Sequence, residues 1–144
     1  MKRLTSPRAA FTLLEIMLVV TIIALLMGAA IWGMAGNFEE AQKTRVKADL
    51  STITTQLTLY QASNGFPPST EQGLKALMVK PEGEPKPRSW RPYMKSIPND
   101  PWDTPYFYVQ PGRHNPDSFD LFSAGKDRKP DTPDDVGNWK EAEK

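Results

Sequence analysis

One apolar run decides the fold of this chain: Ala10-Phe-Thr-Leu-Leu-Glu-Ile-Met-Leu-Val-Val-Thr-Ile-Ile-Ala-Leu-Leu-Met-Gly-Ala-Ala-Ile-Trp-Gly-Met-Ala-Gly36. No residue from Ile16 to Gly36 is charged. A helix of about 20 apolar residues spans the roughly 30 Å hydrocarbon core of a bilayer. The sequence therefore predicts a transmembrane helix over residues 11–36.

Basic residues precede this run, and a single acid lies within it. Lys2, Arg3 and Arg8 stand before it without any acidic residue, so the positive-inside rule predicts a cytoplasmic N-terminus and an exported remainder. Glu15 lies near the start of the run, where an ionised carboxylate facing lipid is costly unless it is paired or interfacial. A cleaved secretory signal fits poorly, because its apolar core is only about 7–15 residues long.

The residues around this acid match a known processing signal. The segment Arg8-Ala9-Ala10-Phe11-Thr12-Leu13-Leu14-Glu15 resembles the class III signal of type IV pilins and pseudopilins. The resemblance implies that residues 1–10 are a leader, which a prepilin peptidase removes between Ala10 and Phe11. It also implies that Phe11 becomes N-methylated and that Glu15 takes the fifth mature position. The family usually has Gly where this chain has Ala10.

Two interpretations of Glu15 stay open at this point. Its carboxylate either lies at the cytoplasmic interface among lipid headgroups, or pairs with the α-ammonium that cleavage creates at Phe11, since a buried charge needs a partner. Within one chain the two groups are separated along the helix. In axially staggered neighbours, Glu15 of one chain meets Phe11 of another. The second interpretation makes these two residues the assembly contact of a homopolymer.

Composition limits the partners and the classes of function. The 144 residues include 18 basic and 17 acidic side chains, and three of the basic ones lie in the predicted leader, which leaves a mature net charge of −2. The sequence has no basic patch of the kind that predicts a nucleic-acid partner. Cysteine is absent, so no disulfide can stabilise the domain. The sequence also lacks the motifs that would predict an enzyme: a Ser/His/Asp set, a phosphate loop or a nucleophilic cysteine.

After the apolar run the helix should continue with an amphipathic pattern. Residues 37–62 contain no proline, and apolar side chains recur every three or four residues, at Val46, Leu50, Ile53, Leu57 and Tyr60. We expect this stripe to pack under the chain's own globular domain. The long N-terminal helix, from about Phe11 to Ala62, then has a membrane half and an amphipathic half.

Turn signals predict where this helix ends and where the next begins. The segment Ser63-Asn64-Gly65-Phe66-Pro67-Pro68 should end it, because Asn-Gly tolerates left-handed dihedrals and proline cannot continue a helix. Ser69 with Gln72 three residues later predicts a capping box that opens a short helix through about Val79.

The C-terminal half predicts a small β-structure. Tyr106-Phe-Tyr-Val109 and Phe119-Asp-Leu-Phe-Ser123 are aromatic and branched runs joined by turn residues, which is typical of an antiparallel hairpin. Its apolar face should meet the helical stripe. His114 lies in the connecting turn and is interpreted as a solvated loop residue, because a lone histidine is a poor zinc site.

A second resemblance covers nearly the whole mature chain. The segments Tyr60–Pro67, Thr70–Leu77 and Pro98–Tyr106 resemble the major pseudopilins of type II secretion systems. The resemblance implies a pilin-like α+β fold, in which the long helix packs on a small antiparallel sheet and residues 37–144 form a periplasmic domain. It also implies minor pseudopilins and an inner-membrane assembly platform as partners.

An acidic loop follows the predicted hairpin. It carries Asp127, Asp131, Asp134 and Asp135 among Gly and Pro, and clustered oxygen ligands suit a hard cation. The spacing is not that of an EF-hand, and the residues alone leave an ion site and a bare solvated loop equally open. The resemblance implies Ca²⁺ here, with Asp127, Asp134 and Asp135 as side-chain ligands, the carbonyls of Leu121 and Ser123 as further ligands, and Asp131 as a weaker match.

Together these patterns predict a structural subunit of a secretion filament. By resemblance, the chain polymerises into a periplasmic pseudopilus that helps export folded proteins across the outer membrane, and is stored as a single-pass inner-membrane protein. Two alternatives stay open: a type IV pilin of a surface or DNA-uptake pilus, and a monomeric membrane-anchored calcium-binding domain. The monomeric domain would not explain the pattern from Phe11 to Glu15.

Overall fold

The structure is a computed structural model that describes residues 12–139, except for the side chains of residues 30–37. The predicted leader, residues 1–10, and the predicted cut between Ala10 and Phe11 therefore lie outside the described residues. The chain divides into two compact units, Met1–Glu40 and Ala41–Lys144.

Helix α1 spans Leu13–Asn64, a length of 52 residues. It ends within the segment that was predicted to stop it, residues 63–68. Gly65 adopts a left-handed conformation with φ of 88°, which glycine does without steric cost. The Gly65 N–H donates to the carbonyl of Gln61 at 2.7 Å, so the last turn is closed before the chain leaves the helix. The helix begins and ends two residues later than predicted.

In the first unit, the large apolar side chains that the structure describes are exposed. They range from 47% exposed for Ile22 to 80% for Leu13 among the large hydrophobic residues between positions 13 and 27. In the part of the chain that the structure describes, no helix is both long enough and apolar enough to cross a membrane. The predicted span over residues 11–36 lies partly outside the described residues.

In the second unit, the core forms around the predicted helical stripe. All five stripe residues are 0–4% exposed, which confirms the predicted face: Val46, Leu50, Ile53, Leu57 and Tyr60. They pack with residues from the C-terminal half, including Leu77, Tyr108 and Leu121. The α+β fold class is confirmed.

The sheet has three antiparallel strands: β1 (Phe107–Val109), β2 (Asp120–Ser123) and β3 (Val136–Gly137). Their order is β1-β2-β3. The predicted hairpin is confirmed, with Tyr108 opposite Leu121. β3 was not predicted from the sequence, because two residues are too short to form a periodic pattern.

The predicted short helix is wrong in type and extent. The capping box itself forms, since Ser69 and Gln72 exchange hydrogen bonds at 3.2 and 3.3 Å. The residues that follow form a turn and then a 3₁₀ helix over Leu74–Leu77. Gly73 causes the break, because its φ of 55° is incompatible with continuing a right-handed helix.

Two buried tyrosines allow a matched test of the core. The Tyr60 hydroxyl is buried and has no hydrogen-bond partner among the described residues, whereas Tyr108 donates to the Pro68 carbonyl at 2.7 Å. We expect Tyr60→Phe to leave the free energy of unfolding unchanged or to raise it by up to about 1 kcal/mol, and Tyr108→Phe to lower it by about 1 kcal/mol. Urea unfolding of both variants measures this, and equal losses would contradict it.

Candidate functional site

The first candidate site is the start of α1, where Thr12 caps the helix. The N–H of Glu15 donates to Thr12 Oγ1 at 3.2 Å and to the Thr12 carbonyl at 3.1 Å. Glu15 is the acidic residue of the first turn, where the helix dipole favours a negative charge. The Thr-x-x-Glu pattern, typical of a capping box, could have predicted this helix start. The predicted partner of Glu15, the amino group of Phe11, lies outside the described residues.

The second candidate site is the acidic loop, residues 124–135, which connects β2 to β3. Both ends of the loop are held by the sheet, because Ser123 pairs with Val136 across the two strands. This strand pairing brings together loop residues that are distant in sequence. The N–H of Asp127 donates to Asp134 Oδ2 at 3.1 Å, although the two residues are seven positions apart.

All three predicted carboxylate ligands contact amide groups of their own loop. Asp127 Oδ1 accepts the Lys129 N–H at 2.8 Å, and Asp135 Oδ2 accepts the Asp131 N–H at 2.9 Å. A single hydroxyl, Thr132 Oγ1, lies 2.6 Å from Asp134 Oδ1 and 3.4 Å from Asp135 Oδ1. The Asp134 and Asp135 carboxylates are therefore side by side.

The two adjacent carboxylates differ in their environments. The Thr132 hydroxyl and the Asp127 N–H lower the pKa of Asp134. Burial raises the pKa of Asp135, and the charge of Asp134 adds to this increase. No basic side chain in the described part of the chain forms an ion pair with either. Within residues 12–139, neither carboxylate of this uncompensated pair therefore has a basic ion-pair partner.

Gly125 makes room for one of these carboxylates. Its φ is 63°, and a Cβ on this residue would overlap the backbone carbonyl of Asp134 and lie 2.6 Å from its Oδ2. Any side chain here would thus displace Asp134. The glycine is a cradle that lets a carboxylate approach the backbone at the beginning of the loop.

The remaining predicted ligands have other contacts. The Leu121 carbonyl accepts the N–H of Asn138 at 3.0 Å. Asp131, the weaker match, pairs with Arg113 at 3.3 Å on the surface. Among residues 12–139, no three His, Cys, Asp or Glu side chains are arranged as a set that could hold a metal ion. The donors are present in the loop, but their carboxylates do not converge on one point in this conformation.

The prediction that His114 is a solvated loop residue is only partly right. Its side chain is 50% exposed, but Nδ1 lies 3.2 Å from Asp120 Oδ2, and the ring stacks on Trp139 with centroids 3.9 Å apart. Burial disfavours the charged form of Asp120, yet hydrogen bonds from the N–H groups of His114 and Arg113 outweigh it and lower its pKa. Asp120 organises the turn, and nothing in the local sequence distinguishes it from an exposed strand residue.

Asn138 is a second residue that sequence reasoning missed. Its Oδ1 accepts the Leu121 N–H at 3.1 Å, and its Nδ2 donates to the Phe119 carbonyl at 3.0 Å. Its side chain thus continues the pairing of β3 with β2 beyond Gly137. This contact holds the C-terminal end of the acidic loop in place.

Comparison with known protein families gives two matches. A family model described as "Type II secretion system (T2SS), protein G" matches residues 33–139. A second, described as "Prokaryotic N-terminal methylation motif", matches residues 5–31, which include Phe11 and Glu15. These matches confirm both resemblances identified in the sequence.

Individual relatives give the same result. The type II secretion system core protein G of Dickeya chrysanthemi is 44% identical over 131 residues, which cover 90% of this chain and 84% of that protein. The protein of the same name from Pseudomonas aeruginosa is 41% identical over 137 residues, covering 92% and 95%. The crystal structure of the major pseudopilin from the type 2 secretion system of enterohaemorrhagic Escherichia coli matches with a TM-score of 0.68 and 40% identity. This match covers 72% of this chain and 87% of that chain.

Proposed function

Because this chain belongs to the type II secretion system protein G family, we propose that residues 11–36 are its membrane and assembly segment and that residues 37–144 are its periplasmic domain. As a major pseudopilin, the chain polymerises into the periplasmic pseudopilus, which helps export folded proteins across the outer membrane. The family match favours this function over a type IV pilin and over a monomeric membrane-anchored domain.

One observation carries the proposed role of the N-terminal segment. The large apolar side chains between Leu13 and Met27 are about half exposed or more, and a continuous exposed apolar surface needs a membrane or protein partner. Before assembly this surface lies in the inner membrane as a single-pass anchor, with its basic N-terminus in the cytoplasm. After assembly it packs against the same segment of neighbouring subunits, where Glu15 meets the amino group of Phe11.

The remaining proposed partners follow from this order of membrane storage and then filament assembly. A prepilin peptidase removes residues 1–10, an inner-membrane assembly platform adds the subunit to the filament, and minor pseudopilins join the same filament. No part of this role requires catalysis by the chain or a nucleic-acid partner. The homologues are structural components of secretion systems, and the role proposed here is non-enzymatic.

Processing can be tested on the mature protein. We expect mass spectrometry of the chain isolated from membranes to identify Phe11 as its first residue, carrying one methyl group on the α-amine. An Ala10→Leu variant should keep its leader, because the bulky side chain blocks a site that needs a small residue. An intact leader on the parent chain, or a cut after Gly36, would contradict the proposed signal.

We also propose that the acidic loop binds Ca²⁺. The donors fit this ion by chemistry, since Ca²⁺ takes six to eight oxygens from carboxylates and carbonyls. Asp127, Asp134 and Asp135 would supply carboxylates, and Leu121 and Ser123 would supply carbonyls. Two features support the fit: the Gly125 cradle beside Asp134 and the uncompensated pair of carboxylates.

When bound, the ion would neutralise this pair and connect residues from both ends of the loop. Ca²⁺ would thus do for the C-terminal loop what a disulfide does in other exported domains, in a chain without cysteine. To bind it, the carboxylates must turn part of their oxygens from the loop amides towards the ion. Binding of the ion should alter the thermal stability of the chain more than any other property.

A further inference from the structure

A buried carboxylate outside the acidic loop contacts the strand residue that immediately precedes the loop. Asp100 is 3% exposed and lies in the turn that precedes β1. Its Oδ1 accepts the N–H groups of Trp102 at 3.0 Å and Thr104 at 2.7 Å. Its Oδ2 accepts the hydroxyl of Ser123 at 2.5 Å, across 23 positions of sequence. A buried carboxylate needs hydrogen bonds that replace its hydration. For Asp100, one of these hydrogen bonds comes from Ser123 at the end of β2.

The contact continues from Ser123 into the loop. Ser123 is fully buried, and its Oγ accepts the N–H of Gly125 at 3.1 Å. Because the hydroxyl hydrogen is donated to Asp100, a lone pair of the oxygen faces Gly125. Gly125 is in turn the residue that makes room for the carboxylate of Asp134. A chain of contacts thus runs from Asp100 through Ser123 and Gly125 to a predicted calcium ligand.

We propose that Asp100 is a positioning residue of the calcium site, acting through the Ser123 hydroxyl, so that calcium affinity depends on a turn outside the acidic loop. The proposal rests on the calcium site proposed above. The hydrogen bond from Ser123 to Asp100 fixes the side chain of Ser123, so that its Oγ faces the N–H of Gly125. The bond to Gly125 holds the left-handed backbone against which Asp134 lies.

The test compares calcium affinities of the full chain, purified in a non-ionic detergent. Ser123→Ala removes the hydroxyl and keeps the carbonyl, and Asp100→Asn keeps the size of the side chain but removes its charge. We expect each variant to bind calcium about tenfold more weakly in calorimetric titration, the effect of losing one charge-assisted hydrogen bond. The double variant should be about as weak as either single variant, because both changes break the same contact.

Tyr106→Phe is the matched control. It removes a hydrogen bond to Asp49 of α1 at 2.9 Å, near the same turn. Among the described residues, this hydroxyl makes no hydrogen bond that leads to the acidic loop. We expect it to lower the melting temperature equally with calcium and with chelator, and to leave calcium affinity unchanged.

Two results would overturn the proposal, and they are distinguishable. If the parent binds calcium while Ser123→Ala and Asp100→Asn keep its affinity, their contact only stabilises the fold and the positioning role is wrong. If the parent binds no calcium, the calcium site itself is wrong and the positioning role falls with it. If Asp100→Asn does not fold, Ser123→Ala alone decides the result, because Asp100 keeps its hydrogen bonds from Trp102 and Thr104 in that variant.

Discussion

With saturating calcium, the full chain should melt about 10 °C or more above its melting temperature in chelator. An ion that binds only the folded state stabilises it by about 2.7 kcal/mol at a hundredfold excess over its Kd. For a domain of about 100 residues, each kcal/mol shifts the melting temperature by about 4–8 °C. The gain arises at Asp134 and Asp135, whose adjacent carboxylates have no basic ion-pair partner among the described residues. Equal melting temperatures in the two conditions would contradict the calcium site.

Single substitutions locate this effect. We expect Asp127→Ala and Asp135→Ala to abolish the calcium response, because each removes a carboxylate ligand. Asp117→Ala is the control: this exposed acid lies in the β1–β2 turn, and its loss should leave the response intact. Magnesium should replace calcium poorly, since it demands tight octahedral geometry and gives up its waters reluctantly. Differential scanning calorimetry of the parent and the three variants measures all of these shifts.

Glu15→Ala should reduce assembled filament at least tenfold while the chain stays in the membrane with a folded periplasmic domain. In the proposed contact, the Glu15 carboxylate neutralises the amino group of Phe11 on a neighbouring subunit. Removing one member leaves a charge buried without a partner, which costs about 3–5 kcal/mol. The filament yield is measured by crosslinking in membranes and by sedimentation of sheared filaments. Protease resistance of residues 41–144 reports folding.

The Glu15→Gln variant tests the charge of this residue separately from its contribution to the start of the helix. The amide keeps the size of the side chain and leaves the contacts of the Glu15 backbone with Thr12 intact, so that α1 should begin normally. If the charge is what assembly needs, this variant should fail as Glu15→Ala does. Filaments of normal yield from either variant would show that Glu15 is not the assembly contact.

The periodic parts of the fold could be predicted because periodicity is a local property. Val46, Leu50 and Ile53 lie on one face of any helix that contains them, and burying this face is the dominant gain in folding. The prediction of the short helix was wrong, and the reason is also local. Gly73 is compatible with many conformations, and its neighbours selected a left-handed one.

The candidate sites were predicted only as sets of residue types. Asp127, Asp134 and Asp135 are visible as acids in a loop, yet whether their oxygens meet depends on the pairing of β2 with β3. Asp100 and Asn138 were missed because their partners are distant in sequence. A polar residue in a turn has the same local pattern whether it faces water or a buried hydroxyl.

The sequence by itself determined the apolar N-terminal segment with its single acid, the buried stripe of α1, the helix end at Gly65 and the antiparallel hairpin. Each of these depends on the chemistry of neighbouring residues or on a repeat within one element. The tertiary structure alone decided that β3 closes the acidic loop, that His114 stacks on Trp139 and that Asp100 reaches Ser123. The physical reason is that a hydrogen bond or ring contact between distant residues exists only after the core has brought their elements together.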